Sequence, residues 1–172
     1  MSLLKHTSTI AGFTVISRIF GFVRDILLAR VLGAGLAGDA YQLAFTLPNT
    51  FRRLFAEGAF SVAFVPMYSR RLAGENGEVE AAKFADDVMS VFIWILLGFS
   101  GLAMLVMPGI VWLLASEFQS VPGKFDLAVF LSRVTFPYLF FISIVAMLTG
   151  LLNARSKFAP GAIAPILFNI VL

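Results

Sequence analysis

VMSVFIWILLGFSGLAMLVMPGIVWLLAS, residues 88–116, contains no charged side chain. A helix needs about 20 mostly apolar residues to cross the hydrocarbon of a bilayer, so this stretch alone points to a transmembrane fold. The rest of the chain agrees. Of its 172 residues, 59% are hydrophobic, 13% are charged and 19 are phenylalanine. Soluble domains run at about 45–50% apolar and about 25% charged. With a mean hydropathy of +0.92, the composition specifies an integral membrane protein.

Several function classes drop out at once. The chain has no cysteine, which removes disulfides, thiolate metal sites and a cysteine nucleophile. Its single histidine is His6, so no histidine metal cluster is expected. The pI is about 9.6, but the arginines sit inside apolar runs. A nucleic-acid surface needs clustered, solvated basic residues. The N-terminus lacks a clean apolar core and cleavage site, because Arg18 interrupts it; it reads as a retained first transmembrane helix rather than a signal peptide.

Working outward from residues 88–116, the pattern predicts an all-α polytopic transmembrane bundle of four complete helices plus the start of a fifth. The expected helices cover about 7–32, 39–69, 88–116, 131–154 and 158–172, with a charged cytoplasmic loop at 70–87 whose second half suits a short surface helix. The last run is short for a span and reads as a helix that continues past it. Gly33, Gly35 and Gly38 suit a tight connection between the first two helices. Lys5, Arg70, Arg71, Lys83, Arg155 and Lys157 fall on one side and Arg30, Lys124 and Arg133 on the other. This asymmetry places the N-terminus in the cytoplasm.

The first two helices carry the informative residues. An arginine at mid-bilayer costs about 2.5–3.5 kcal/mol on insertion scales, and such residues normally face a bundle interior or a hydrated cavity. Arg18 and Asp25 lie two helical turns apart and share a face. Ser17 and Arg24 share the neighbouring one. In the second helix Asn49, Arg53, Glu57 and Ser61 recur every fourth residue, and Arg53–Glu57 has the spacing of a favourable ion pair. Arg52 points about 100° away from Arg53. Asp39 precedes the second apolar run and suits a helix cap. Arg18, Arg24, Arg52 and Arg53 outnumber Asp25, Asp39 and Glu57, so a cavity lined by these helices would attract an anion. The guanidinium fork fits phosphate in particular. Gly12, Gly21 and Pro48 permit bent or broken helices, which are common at transporter sites. Pro137 predicts a kink.

The stretches SRIFGFVRDILLARVLGAG, GDAYQLAFTLPNTFRRLFAEGAFSVAFVP and RVTFPYLFFISI…GLLNARSKFAPGAIAPILFNI together resemble the MurJ (MviN) family, lipid II flippases of the multidrug/oligosaccharidyl-lipid/polysaccharide exporter superfamily. The resemblance covers nearly the whole chain and is most specific in LPNTFRRLFAEGAFSVAFVP. It implies membership of the N-terminal lobe of an alternating-access transporter. Such a protein moves the undecaprenyl-diphosphate-linked peptidoglycan precursor from the cytoplasmic to the periplasmic leaflet of the bacterial inner membrane. The diphosphate-binding arginines of the family match Arg18, Arg24 and Arg52, and its other important residues match Asp25, Asp39, Asn49 and Glu57.

No nucleophile, acid pair or phosphate-binding loop accompanies these residues. The expectation is therefore a non-enzymatic transporter with no cofactor and no metal. Its partners are lipid II, membrane lipid and the remaining helices of a longer protein, with no nucleic acid. Two other readings stay open. One is a flippase for another polyprenyl-diphosphate-linked saccharide. The other is a non-transporting scaffold, which would need an acid for every buried arginine. A membrane enzyme acting on polyprenyl phosphates would need paired acids or histidines at a membrane face, and the sequence has none there.

Overall fold

The computed structural model describes residues 3–33, 35–53, 60–157 and 159–171, and every structural statement below concerns these. They are helical, with no strand among them. The helices are α1 (Leu3–Leu32), α2 (Leu36–Arg52), α3 (Phe60–Leu72), α4 (Gly77–Leu114), α5 (Lys124–Thr135), α6 (Tyr138–Ala154) and α7 (Ala159–Val171), with a short 3₁₀ turn at Ser116–Ser120. Two stretches, Gly77–Leu114 and Lys124–Ala154, are long and apolar enough to cross a membrane.

Helix α1 ends in a turn that needs glycine twice. Gly33 has φ +66°, and a Cβ at Gly38 would collide with the Gly33 carbonyl oxygen. Helix α2 therefore starts at Leu36 with Gly35 as its N-cap. Asp39 lies in the first turn rather than at the cap, so the capping role read from the sequence is corrected.

The second half of the charged segment 70–87 is helical, but as the first turns of α4 and not as a separate short helix. Helix α4 begins at Gly77 and runs for 38 residues, about 57 Å at 1.5 Å per residue. That exceeds the roughly 30 Å of hydrocarbon, so its charged first turns project from the apolar part. They are held in place because Ala81 and Ala85 continue the buried face of Phe92 and Leu96. A further difference lies upstream of residue 131. Helix α5 starts at Lys124 behind Gly123 (φ +78°) and buries Ala128, Val129 and Ser132. The expected kink is present as a break at Phe136–Pro137 between α5 and α6.

Two cores hold the bundle. One joins α2, the second half of α4 and α5 through Ala40, Leu47, Met107, Val111, Ala128 and Phe136. Ala40, Ala44, Ala128 and Ser132 are at or near 0% exposure. Small residues one turn apart on facing helices let backbones approach closely, as membrane helix packing favours. The other core joins α3, the first half of α4 and α6 through Phe64, Tyr68, Phe92, Leu96 and Met147. Helix α1 packs mainly on α7. The outer faces carry exposed Trp94, Leu105, Trp112 and Phe141, the surface expected toward lipid.

Each end of the bundle is tied by an ion pair. At one end the Arg155 guanidinium donates to Glu78 Oε2 at 2.9 Å and to the Tyr68 hydroxyl at 2.8 Å. At the other, Lys124 Nζ donates to Asp39 Oδ2 at 2.6 Å. Arg133, which the charge count grouped with Arg30 and Lys124, lies in the last turn of α5.

Candidate cationic cavity

Helices α1, α2, α3, α6 and α7 border a half-open cavity of about 1060 Å³. Ser17, Arg18, Arg24, Asn49, Arg52 and Arg53 all line it, and its remaining wall comes largely from α6 and α7, including Tyr138, Thr149, Asn153 and Phe168. No acidic side chain lines it among the described residues. Four guanidinium groups thus border one space. Arg52 and Arg24 are half-buried, while Arg18 and Arg53 are more exposed.

The acids sit next door. A second cavity, of about 730 Å³, lies between the C-terminal part of α1 and the start of α2, and is lined by Asp25, Asp39, Tyr41, Gln42 and Thr46 among others. Arg24, Asn49 and Phe168 border both spaces. Asp25 pairs with its chain neighbour, accepting from Arg24 Nη2 at 2.8 Å and Nε at 3.1 Å. Its face-sharing with Arg18 therefore does not produce a contact; the backbone turns Asp25 to the second cavity. Asp39 is held by Lys124. Glu57 lies outside the described residues, as does the side chain of Ser61, so the Arg53–Glu57 spacing has no described counterpart.

The structure adds a residue that the sequence reading missed. Asn169 of α7 accepts from Arg24 Nη1 at 2.9 Å through Oδ1. Its Nδ2 donates to the Ser17 carbonyl at 2.9 Å, with the Ser17 hydroxyl at 3.3 Å. The amide lies against α1 beside Gly21, one turn beyond Ser17. Arg24 is thereby fixed from two sides, by Asp25 and by Asn169, with guanidinium hydrogens to spare. Asn169 is the one polar side chain in residues 158–172. That isolation was the available signal, because a lone amide in an apolar helix needs a partner.

The site can accept an anion. Its charge is permanent, its donors lie on helices rather than loops, and it adjoins apolar walls that strengthen the electrostatics. No group of metal-ligating side chains occurs among the described residues.

Comparison with known proteins matches residues 28–172 to the family described as Lipid II flippase MurJ. The chain is 44% identical over 173 residues to the probable lipid II flippase MurJ of Rhizobium tropici, covering 100% of the chain and 32% of that protein. It is 38% identical over 170 residues to the lipid II flippase MurJ of Burkholderia cenocepacia, covering 99% and 33%. Against the probable lipid II flippase MurJ of Vibrio cholerae the figures are 38% over 178 residues, 99% and 34%. The chain spans about a third of the length of the curated relatives it matches.

Proposed function

From the premise that this membrane protein belongs to the lipid II flippase MurJ family, we propose that it forms part of the N-terminal lobe of a lipid II flippase and supplies the diphosphate-binding half of its central cavity. The observation that carries this reading is the convergence of Arg18, Arg24, Arg52 and Arg53 on one cavity that no described acid lines. Lipid II joins an anionic diphosphate and a large polar headgroup to a polyprenyl tail. The headgroup cannot cross hydrocarbon without a substitute for water.

In this account Arg18, Arg24 and Arg52 bind the diphosphate oxygens and the cavity holds the polar headgroup. The tail stays in lipid throughout. Ser17, Asn49 and Arg53 line the same space, Asp25 restrains Arg24, and Asp39 with Glu57 belongs to the supporting or gating set. No bond is made or broken, so the protein is a transporter and not an enzyme. Alternating access moves the site from the cytoplasmic to the periplasmic leaflet of the inner membrane. The membrane potential can contribute, since moving one charge through it is worth about 2.3 kcal/mol per 100 mV.

The ion-paired ends support a cytoplasmic N-terminus. Arg70, Arg71, Lys83, Arg155 and Lys157 gather at the Arg155–Glu78 end, and Arg30 and Lys124 at the other. That is the asymmetry of a positive-inside membrane protein.

The test is complementation by the full-length protein in cells depleted of their own flippase. Wild type restores growth. Arg18→Ala, Arg24→Ala and Arg52→Ala, each at normal membrane abundance, do not. Growth with all three variants would remove the diphosphate clamp from the account.

A further inference from the structure

Helices α2 and α4 each contain a proline, Pro48 and Pro108. Proline has no amide hydrogen, so the carbonyl four residues before it loses its helical partner. Those carbonyls belong to Ala44 and Met104. Both are taken up by side chains of α5. Thr135 Oγ1 lies 2.9 Å from the Ala44 carbonyl oxygen, and Arg133 Nε donates to the Met104 carbonyl oxygen at 3.0 Å. Two residues of one short helix thus serve the two proline-freed carbonyls of the helices packed on either side of it.

The Thr135 hydroxyl has a single proton and other acceptors nearby, Leu131 O at 3.0 Å and Ser132 O at 3.3 Å. Need decides between them. The Ser132 carbonyl already accepts from the Phe136 amide, and that of Leu131 has the Thr135 amide in helical register. The Ala44 carbonyl has no amide four residues on. Ala44 is 0% exposed, which makes an unmet carbonyl there costly. The hydroxyls of α2 itself are committed elsewhere, Thr46 to Gln42 O and Thr50 to Thr46 O.

Pro48 immediately precedes Asn49 and stands one turn before Arg52, both on the cationic cavity. We propose that Thr135 is a positioning residue of that cavity: its hydroxyl replaces the hydrogen that Pro48 lacks and sets the backbone from which α2 presents Asn49 and Arg52. The link to substrate rests on the flippase reading; the hydrogen bond itself does not.

The experiment is a double-mutant cycle on the full-length protein, with Thr135→Val, Pro48→Ala and both together. It is read as melting temperature and as affinity for undecaprenyl diphosphate in detergent micelles, and Thr135→Ser is the conservative control. Thr135→Val lowers the melting temperature and weakens the lipid about tenfold, the scale of one hydrogen bond. Thr135→Ser restores both. The Pro48→Ala background returns a backbone amide hydrogen to the Ala44 carbonyl, and there Thr135→Val has less than half its effect. Equal effects of Thr135→Val with and without Pro48→Ala, or a Thr135→Ser variant as impaired as Thr135→Val, overturn the proposal. If wild type does not bind the lipid at all, the flippase reading fails, and the melting-temperature cycle still decides the role of Thr135.

Discussion

The α2–α4–α5 core and the seam between α1, α2 and α7 lie side by side and are built on opposite terms. In the core, Ala40, Ala44, Ala128 and Ser132 draw the helices together, and Phe136 fills the space at 0% exposure between Phe51 and Phe99. In the seam α1 packs on α7 but stands off from α2. Arginines line that gap, and a chain of polar contacts from Ser17 through Asn169 to Arg24 and Asp25 ties α1 to α7 beside it. Helix α2 belongs to both, with its alanines on the core and Asn49 and Arg52 on the cavity. The difference shows how a membrane protein can keep a cationic interior: the dry half fixes the backbone, and the wet half is thereby spared from collapsing around its arginines.

Substitutions can break either half. The largest expected effect is on the dry side. Phe136→Ala removes a fully buried ring with two aromatic neighbours and should cost about 3 kcal/mol of stability, measured as a fall in melting temperature in detergent. On the wet side, Asn169→Leu removes both the Arg24 and the Ser17 bonds at similar volume. It should lower stability by only about 1–2 kcal/mol yet cut diphosphate-lipid affinity about tenfold. A stability loss without an affinity loss would make Asn169 simple helix glue.

Smaller effects sharpen the boundary. Ser156 sits at φ +60° after α6, where the Lys157 amide reaches back to the Leu152 carbonyl at 2.8 Å. Glycine is favoured at such a helix end, so Ser156→Gly should raise stability by about 1 kcal/mol and leave affinity unchanged. Asp39→Asn weakens the pair with Lys124 at its exposed, Asp39 end. A surface pair of this kind contributes about 0–1 kcal/mol, so melting temperature should barely move. A flipping defect in this variant would assign Asp39 to gating rather than to structure.

The fold was legible wherever charge and apolar runs separated cleanly. Residues 88–116 announced a span, and the arginines of α1 and α2 marked a cavity because charge in hydrocarbon needs a reason. That the short helix read in the second half of 70–87 is continuous with the 88–116 span was hidden, because its buried face there is Ala81 and Ala85, which carry little hydrophobic signal among five acids and a lysine. The start of α5 was hidden by Pro122, Gly123 and Lys124, which read as loop. Within the site, periodicity placed Asn49 and Arg53 on one cavity. It could not find Asn169, whose partners Ser17 and Arg24 are 152 and 145 residues away. Nor could it foresee that Asp25 would turn to its neighbour Arg24, since one backbone step decides which of two cavities a carboxylate faces.

The central proposal is that Arg18, Arg24 and Arg52 of one cavity bind a lipid diphosphate. Its most direct measurement is the affinity of the full-length protein in nanodiscs for undecaprenyl diphosphate against uncharged undecaprenol. Wild type should prefer the diphosphate by at least about tenfold, one charge-assisted bond's worth or more. A variant with Arg18→Ala, Arg24→Ala and Arg52→Ala should bind the two lipids alike. Equal binding by wild type, or an undiminished preference in the triple variant, would contradict it.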